Sequence, residues 1–334
     1  MTTLRFGILG TGNIAKQFAA DVRKSERCRI TAVGSRTQAS ADGFAEQFGP
    51  MNRHGNYDAL LADDEVDTIY VSTPNTLHRE WTEKALAAGK HVLCEKPLAT
   101  SRADAEAMFA AAEAADRVLV EAFMYRAHPQ TLQLQRALRE GAIGNVKLVR
   151  ASFCYRTRKI DGNVRFDSNL AGGALMDVGC YCINAAMMVA GTEPESWHAI
   201  SRMHERGVDE QTTGVLKFSN GVVAEFSCAL TTQANNTLHI CGDEGWIEVP
   251  VPWKPPIGEA GFTIHRGTPP KQDGPVTRQT GPEWVDVPDD RPLYAIEADA
   301  FAATVLDGTE AFMPQGASLV LAGILEDMRS GMIT

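Results

Sequence analysis

A chain of 334 residues, 44% hydrophobic and 22% charged, has the composition of a globular protein and the length for two domains. Its formal net charge of −10 excludes the basic face that nucleic acid or an anionic membrane surface would need. No apolar run is expected to reach the roughly 18 residues of a membrane span. MTTLRFGILG passes straight into a strand pattern, so no signal peptide is expected. The seven cysteines are an odd number, scattered through apolar segments without C-x-x-C spacing, which predicts reduced thiols, a cytoplasmic protein and no metal site. Cys180 and Cys182 stand two apart in a helical pattern and so do not share a face.

The first predicted element is the strand LRFGIL, residues 4–9, with GTGNIA directly after it. Gly10, Gly12 and Ala15 form a G-x-G-x-x-G/A pattern between this strand and a helical stretch from Ile14 to Arg23. The first glycine permits a tight turn, the second lets backbone approach a pyrophosphate, and the third small residue lets helix pack on strand. The backbone at Thr11, Asn13 and Ile14 then faces the phosphates at a helix N-terminus. This predicts dinucleotide binding.

The second strand, CRITAVGS, ends at Ser35, Arg36 and Thr37. An acidic residue here would take the ribose hydroxyls of NAD, whereas an arginine suits the 2′-phosphate of NADP. NADP is therefore expected, with NAD as the alternative if Arg36 is only a solvated side chain. A helix is predicted over Ala39–Phe48 and a third strand over Asp67–Ser72. Pro74 stops that strand, and Asn75 or Thr76 can cap a helix from Leu77 to Ala88. Ser72, Thr73, Pro74 and Asn75 would line the crevice, with His78 as a further cofactor neighbour. The fourth strand runs into HVLCEKPLAT, residues 91–100, placing Glu95, Lys96 and Pro97 at a strand's C-terminal end. In an open parallel sheet that end is where ligands bind. A lysine beside a proline there is explained if one ammonium must be held at a set angle. A helix over Arg102–Ala115 and a fifth strand, RVLVEAF, complete an alternating β-α pattern, which predicts a parallel sheet.

After residue 124 the pattern changes, and 125–334 is expected to form a second domain. A helix over Gln130–Glu140 precedes strand-like runs in direct succession: VKLVRASFCY, SWHAISRM, TGVLKFS, GVVAEFSCAL, TLHICG and WIEVP. Strands without intervening helices predict an open, mostly antiparallel sheet in an α+β domain, with Ser219-Asn220-Gly221 as a hairpin turn. Trp253–Asp290, rich in Pro and Gly, is expected to be loop. Helices are predicted over Tyr294–Leu306 and Ala317–Arg329. The stretch NLAGGALMDVGCYCINAAMMVAG, residues 169–191, carries Asp177 and Tyr181 four apart on one helix face. A carboxylate and a phenol so placed suit an orienting group and a proton donor.

With GTGNIA, CEKPLA and GGALMDVGCY in this order, the whole chain resembles the Gfo/Idh/MocA oxidoreductases. The resemblance implies a Rossmann dinucleotide-binding domain over 1–124 and a substrate-binding and oligomerisation domain over 125–334. It implies that Lys96 orients substrate and nicotinamide and tunes the acid–base group, and that Asp177 is a substrate-site residue. Many members carry histidine where this chain has Tyr181. The tyrosine, and the segment EAFMYRAHP, resemble the branch of NADP-dependent D-xylose dehydrogenases and dimeric dihydrodiol dehydrogenases. Tyrosine's reference pKa is about 10, and lowering it about 3 units takes roughly 4 kcal/mol, which a close ammonium in a water-poor crevice can supply.

The expected activity is hydride transfer between NADP and a sugar or polyol, an aldose such as D-xylose at its anomeric carbon. Tyr181 is the expected acid–base, Lys96 its tuner and Asp177 the holder of a substrate hydroxyl. Arg126, His128, Arg156 and Arg158 are further candidates for the substrate pocket. A trans-dihydrodiol or a 1,5-anhydro-sugar ketone would use the same residues, and aromatic pocket walls would favour the diol. A non-catalytic protein that senses NAD(P) is the alternative of another class. A sheet covered on one face only predicts an apolar face and a homo-oligomer, a dimer in the first instance.

Overall fold

The computed structural model describes residues 3–49, 51–267 and 281–331. Its contacts divide the chain into two compact units, 1–127 with 291–323 and 128–290 with 324–334. The first unit thus takes back a segment from the C-terminal third.

The first unit is built on β1 (Leu4–Leu9), β2 (Cys28–Gly34), β3 (Asn52–His54), β4 (Thr68–Val71), β5 (His91–Glu95) and β6 (Leu119–Ala122). All neighbours are parallel, in the order β3-β2-β1-β4-β5-β6, which is the Rossmann order. The strands alternate with α1 (Asn13–Val22), α2 (Gln38–Phe48), α3 (Tyr57–Leu61), α4 (His78–Ala87) and α5 (Arg102–Ala114), and the short α6 (Met124–Ala127) follows β6. One face of the sheet packs Leu9, Val71, Val92 and Cys94 against Leu60, Leu86, Met108 and Phe109 of the helices. Such continuous apolar runs are what strands buried on both faces require. The sequence pattern shows five strands here and the structure six. The missing one, β3, is a polar three-residue edge strand without an apolar alternation to betray it. Neither Asn75 nor Thr76 caps α4; Asn75–Leu77 is a 3₁₀ turn, and α4 starts after Leu77 without a side-chain cap.

The second unit opens with α7 (Pro129–Arg139), then β7 (Val146–Cys154) and α8 (Cys180–Ala190). Seven strands follow: β8 (Pro194–Met203), β9 (Asp209–Phe218), β10 (Val223–Ala229), β11 (Leu238–Gly242), β12 (Gly245–Val249), β13 (Gly261–Arg266) and β14 (Glu283–Asp286). They form one sheet in the order β14-β13-β12-β11-β7-β10-β9-β8. Every pairing is antiparallel except β7 with β10. Strands β13 and β14 lie inside the stretch expected to be loop; Pro and Gly mark the turns around them, and residues 268–280 of that stretch lie outside the described residues. The helical run over 169–191 is also not uniform. Leu175–Gly179 is a π turn, and the regular helix begins only at Cys180. The run Ser168–Ala190 is, by length and hydropathy, apolar enough to cross a membrane, contrary to expectation, but 78% of its apolar 18-residue window is buried within the protein.

The outward face of this sheet is mixed rather than apolar. Ile200, Val215 and Val223 are exposed beside an ion pair between Arg150 and Glu225 at 2.8 Å.

Helix α9 (Leu293–Asp307) and the first part of α10 (Gln315–Ser330) complete the first unit. Phe301 packs on Phe6 at 5.9 Å between ring centroids and Tyr294 on Phe18 at 6.3 Å, while Phe18 stacks on Tyr70 at 3.9 Å. Ser25 donates to Asp299, and Cys28 donates to the Ala298 carbonyl at 3.2 Å. These apolar and polar contacts bind α9 to the sheet's second face.

Candidate active site

In the first unit, strand order reverses between β1 and β4, the switch point at which open α/β sheets bind ligands. Gly10 turns the chain there with φ +107°, and a Cβ on it would lie 3.0 Å from Ser72 Oγ. The Ser72 hydroxyl donates to the Leu9 carbonyl at 2.9 Å, which ties β4's end to the turn. Gly12 is the N-cap of α1, which has no side-chain cap, and a Cβ on Gly12 would meet nothing within 4 Å. Open space at an uncapped helix N-terminus fits a pyrophosphate. Thr11 and Ser35 share a hydrogen bond at 3.2 Å between their hydroxyls. Arg36 is exposed at the end of β2, and the Thr37 hydroxyl caps α2 by accepting from the Ser40 N–H. Asn13 and Ile14 at the start of α1, and Pro74 and Asn75 at the turn after β4, are exposed or half-buried.

The turn after β5 is held from three sides. Lys96 and Pro97, joined by a cis peptide bond, follow Glu95, which accepts a hydrogen bond from the Tyr70 hydroxyl. The buried ring of His78 lies between the Pro97 carbonyl at Nδ1 and the Thr73 carbonyl at Nε2, both at 2.9 Å. It bridges the turns after β4 and β5 and bears on the crevice through Thr73 and Pro97. Burial lowers its pKa. Glu121 on β6 accepts the Leu98 N–H at 2.8 Å. Burial pushes its carboxyl up to about 7, while Lys96 and Arg126 favour the ionised form.

In the second unit, Asp177 falls within the π turn and Tyr181 in the first turn of α8. A π turn interrupts the i→i−4 ladder and is frequent at functional sites. Tyr181 is buried, its ring edge-on to Phe153 at 5.3 Å and to Trp253 at 5.9 Å, while Phe153 and Trp253 stack at 5.7 Å. Asp177 Oδ2 accepts from the Tyr155 hydroxyl at 2.6 Å and from Arg165 Nε at 2.7 Å. Burial, then the Asp177 charge, push the Tyr155 phenol up. The Asp177 charge raises the Arg165 guanidinium.

The sequence pattern missed Tyr155 and Arg165, since 22 and 12 residues separate them from Asp177 and only the fold joins them. Of the four residues expected near the substrate, Arg126 donates Nε to the Phe312 carbonyl at 2.9 Å. His128 caps α7, its Nδ1 accepting the Gln130 N–H at 3.1 Å. Arg156 and Arg158 are exposed, the former giving its backbone N–H to Gln233 at 2.9 Å. Among the described residues, no group of three or more His, Cys, Asp or Glu could hold a metal.

The Rossmann order, the glycine turn and the lysine at the tip of β5 define a nucleotide-dependent oxidoreductase. Residues 4–123 match the Gfo/Idh/MocA oxidoreductase family with an NAD-binding Rossmann fold, and residues 131–248 match its C-terminal domain. The chain belongs to this family. D-xylose 1-dehydrogenase (NADP(+)) 2 of Haloferax volcanii is 34% identical over 306 residues, spanning 91% of this chain and 90% of that protein. The trans-1,2-dihydrobenzene-1,2-diol dehydrogenase of Danio rerio is 37% identical over 250 residues, 74% of each chain. A 3-ketoreductase from Actinomadura kijaniata, solved with NADP and TDP-benzene, superposes with a TM-score of 0.86 at 32% identity, covering 99% of this chain and 98% of that one.

Proposed function

We propose that the protein is an NADP-dependent dehydrogenase that moves hydride between nicotinamide and a sugar, an aldose such as D-xylose at its anomeric carbon. The observation that carries this reading is the buried phenol of Tyr181, set just after a π turn that bears an ion-paired Asp177. The bound cofactor supplies the hydride chemistry. Tyr181 takes the hydroxyl proton in oxidation and returns it in reduction, Asp177 holds a substrate hydroxyl, and Lys96 orients the substrate and favours the phenolate. Arg36, in a β2 end without an acid, and the NADP in the names of two relatives support NADP.

A second reading, trans-dihydrodiol oxidation, is favoured by the Phe153 and Trp253 rings against Tyr181 and by the Danio rerio relative. We further infer a cytoplasmic homodimer. The seven cysteines are all free thiols, which suits a reducing compartment, and the exposed Ile200, Val215 and Val223 suit a surface covered by a second copy.

The test is NADP and NAD reduction across aldoses, inositols and diols, with Lys96→Ala and Tyr181→Phe alongside. Turnover on an aldose, falling about 10²–10⁴-fold in Tyr181→Phe, is the expected result. Turnover on diols alone selects the second reading, and cofactor binding without reduction overturns both.

A further inference from the structure

Arg165 lies on the loop between β7 and α8, and its guanidinium reaches Asp177 with a side chain 44% exposed against 14% for the carboxylate. We propose that Arg165 is a positioning residue for Tyr181, fixing and neutralising the Asp177 carboxylate that would otherwise oppose the phenolate. The inference rests on the assignment of Tyr181 as acid–base.

Asp177 stands four residues before Tyr181, and a carboxylate so close favours the protonated phenol. Arg165 places a cation 2.7 Å from its Oδ2, and the Arg165 charge also acts on Tyr155 and Tyr181. The placement is built into the backbone. Asn163 Oδ1 accepts the Arg165 N–H at 3.1 Å, and the Gly173 N–H donates to the Arg165 carbonyl at 2.9 Å. A Cβ on Gly172 would stand 2.5 Å from that carbonyl oxygen, a clash no side chain could accept. The glycine pair before the helical run therefore lets this loop close on the helix and bring the guanidinium to Asp177.

The other titratable groups on the elements packed around Tyr181 do not supply this charge. Cys154 ends β7 and Tyr155 follows it, Cys228 comes from β10, and Cys180 and Cys182 come from α8. Burial pushes up the thiols of Cys154, Cys182 and Cys228 and the phenol of Tyr155, so these stay neutral near pH 7. The charged groups of β7 and β10 are engaged elsewhere: Arg150 pairs with Glu225 at 2.8 Å, and Lys147 lies 3.7 Å from Asp243.

The test follows tyrosinate absorbance against pH on the full chain for wild type, Arg165→Lys, Arg165→Gln and Asp177→Asn/Arg165→Gln. The step lost in Tyr181→Phe identifies the phenol, and the pH profile of kcat is measured in parallel. Arg165→Gln should move that step up by about one unit and lower kcat about tenfold near neutrality, with recovery at higher pH. Arg165→Lys should return both the step and kcat towards wild type, and the double variant, which also removes the Asp177 charge, should return the step alone. An unmoved step in Arg165→Gln, or a fall in kcat equal at every pH, overturns the proposal. Full activity in Tyr181→Phe would sink the acid–base assignment instead, while the absorbance comparison would still report on Arg165.

Discussion

Glu121, buried on β6, accepts the backbone N–H of Leu98, two residues past Lys96. A buried carboxyl therefore holds the turn that presents the ammonium. Its pKa is pushed up to about 7 from 4.5, so the folded protein binds this proton more tightly than the unfolded chain. The associated stability is fully present below about pH 4.5 and is lost as pH rises through about 7, on the order of 3 kcal/mol. Denaturant titrations across that range should show this slope in wild type and its absence in Glu121→Gln, which keeps an acceptor for Leu98. Glu121→Ala should cost a further 1–3 kcal/mol, roughly, by leaving that N–H unpaired. Equal slopes in wild type and Glu121→Gln would refute the assignment.

Gly12 and Gly10 should fail differently. Gly12→Val projects into open space at the start of α1, so thermal stability should stay near wild type while NADP affinity drops at least about tenfold, as read by fluorescence titration. Gly10→Ala carries a side chain at φ +107° against Ser72 and should cost about 1–2 kcal/mol of stability. A Gly12→Val protein that binds NADP as well as wild type would place the phosphates elsewhere.

Arg36→Ala should leave stability unchanged, because the side chain is exposed. The ratio of kcat/KM for NADP over NAD should fall about tenfold or more, the loss of one charge-assisted phosphate contact. An unchanged ratio would mean that another group reads the ribose.

On the open sheet face, wild type should scatter light as a dimer, and Ile200→Asp with Val223→Asp should leave a particle of the 36.2 kDa chain mass. Both residues are solvent-exposed in the single chain, so the fold itself should tolerate the changes. A wild-type particle of monomer mass would end the dimer proposal.

Local features were legible in the sequence and long-range ones were not. The turn at Gly10 and Gly12 is written in consecutive residues between a strand and a helix, and most strands of both sheets show as short apolar or alternating runs. Asn52–His54 is too short and polar to show, and β13 and β14 are hidden among turn residues. Asp177 and Tyr181 could be picked out by spacing, but not the π turn beneath them, because it changes hydrogen bonding without changing composition. Arg165 could not be told from Arg156 or Arg158, since it takes the Gly172–Gly173 approach to select the arginine that meets Asp177.

The return of residues 291–323 to the first unit has a consequence for synthesis. As the chain leaves the ribosome, the parallel strands are complete by Ala122, yet Phe6 and Phe18 lack their α9 partners until Tyr294 and Phe301 have emerged. At roughly 5–20 residues per second, the nascent sheet waits on the order of ten seconds or more with an apolar face uncovered. The growing polypeptide is in that interval a client for chaperones, and a fragment ending at residue 127 should express as an insoluble product.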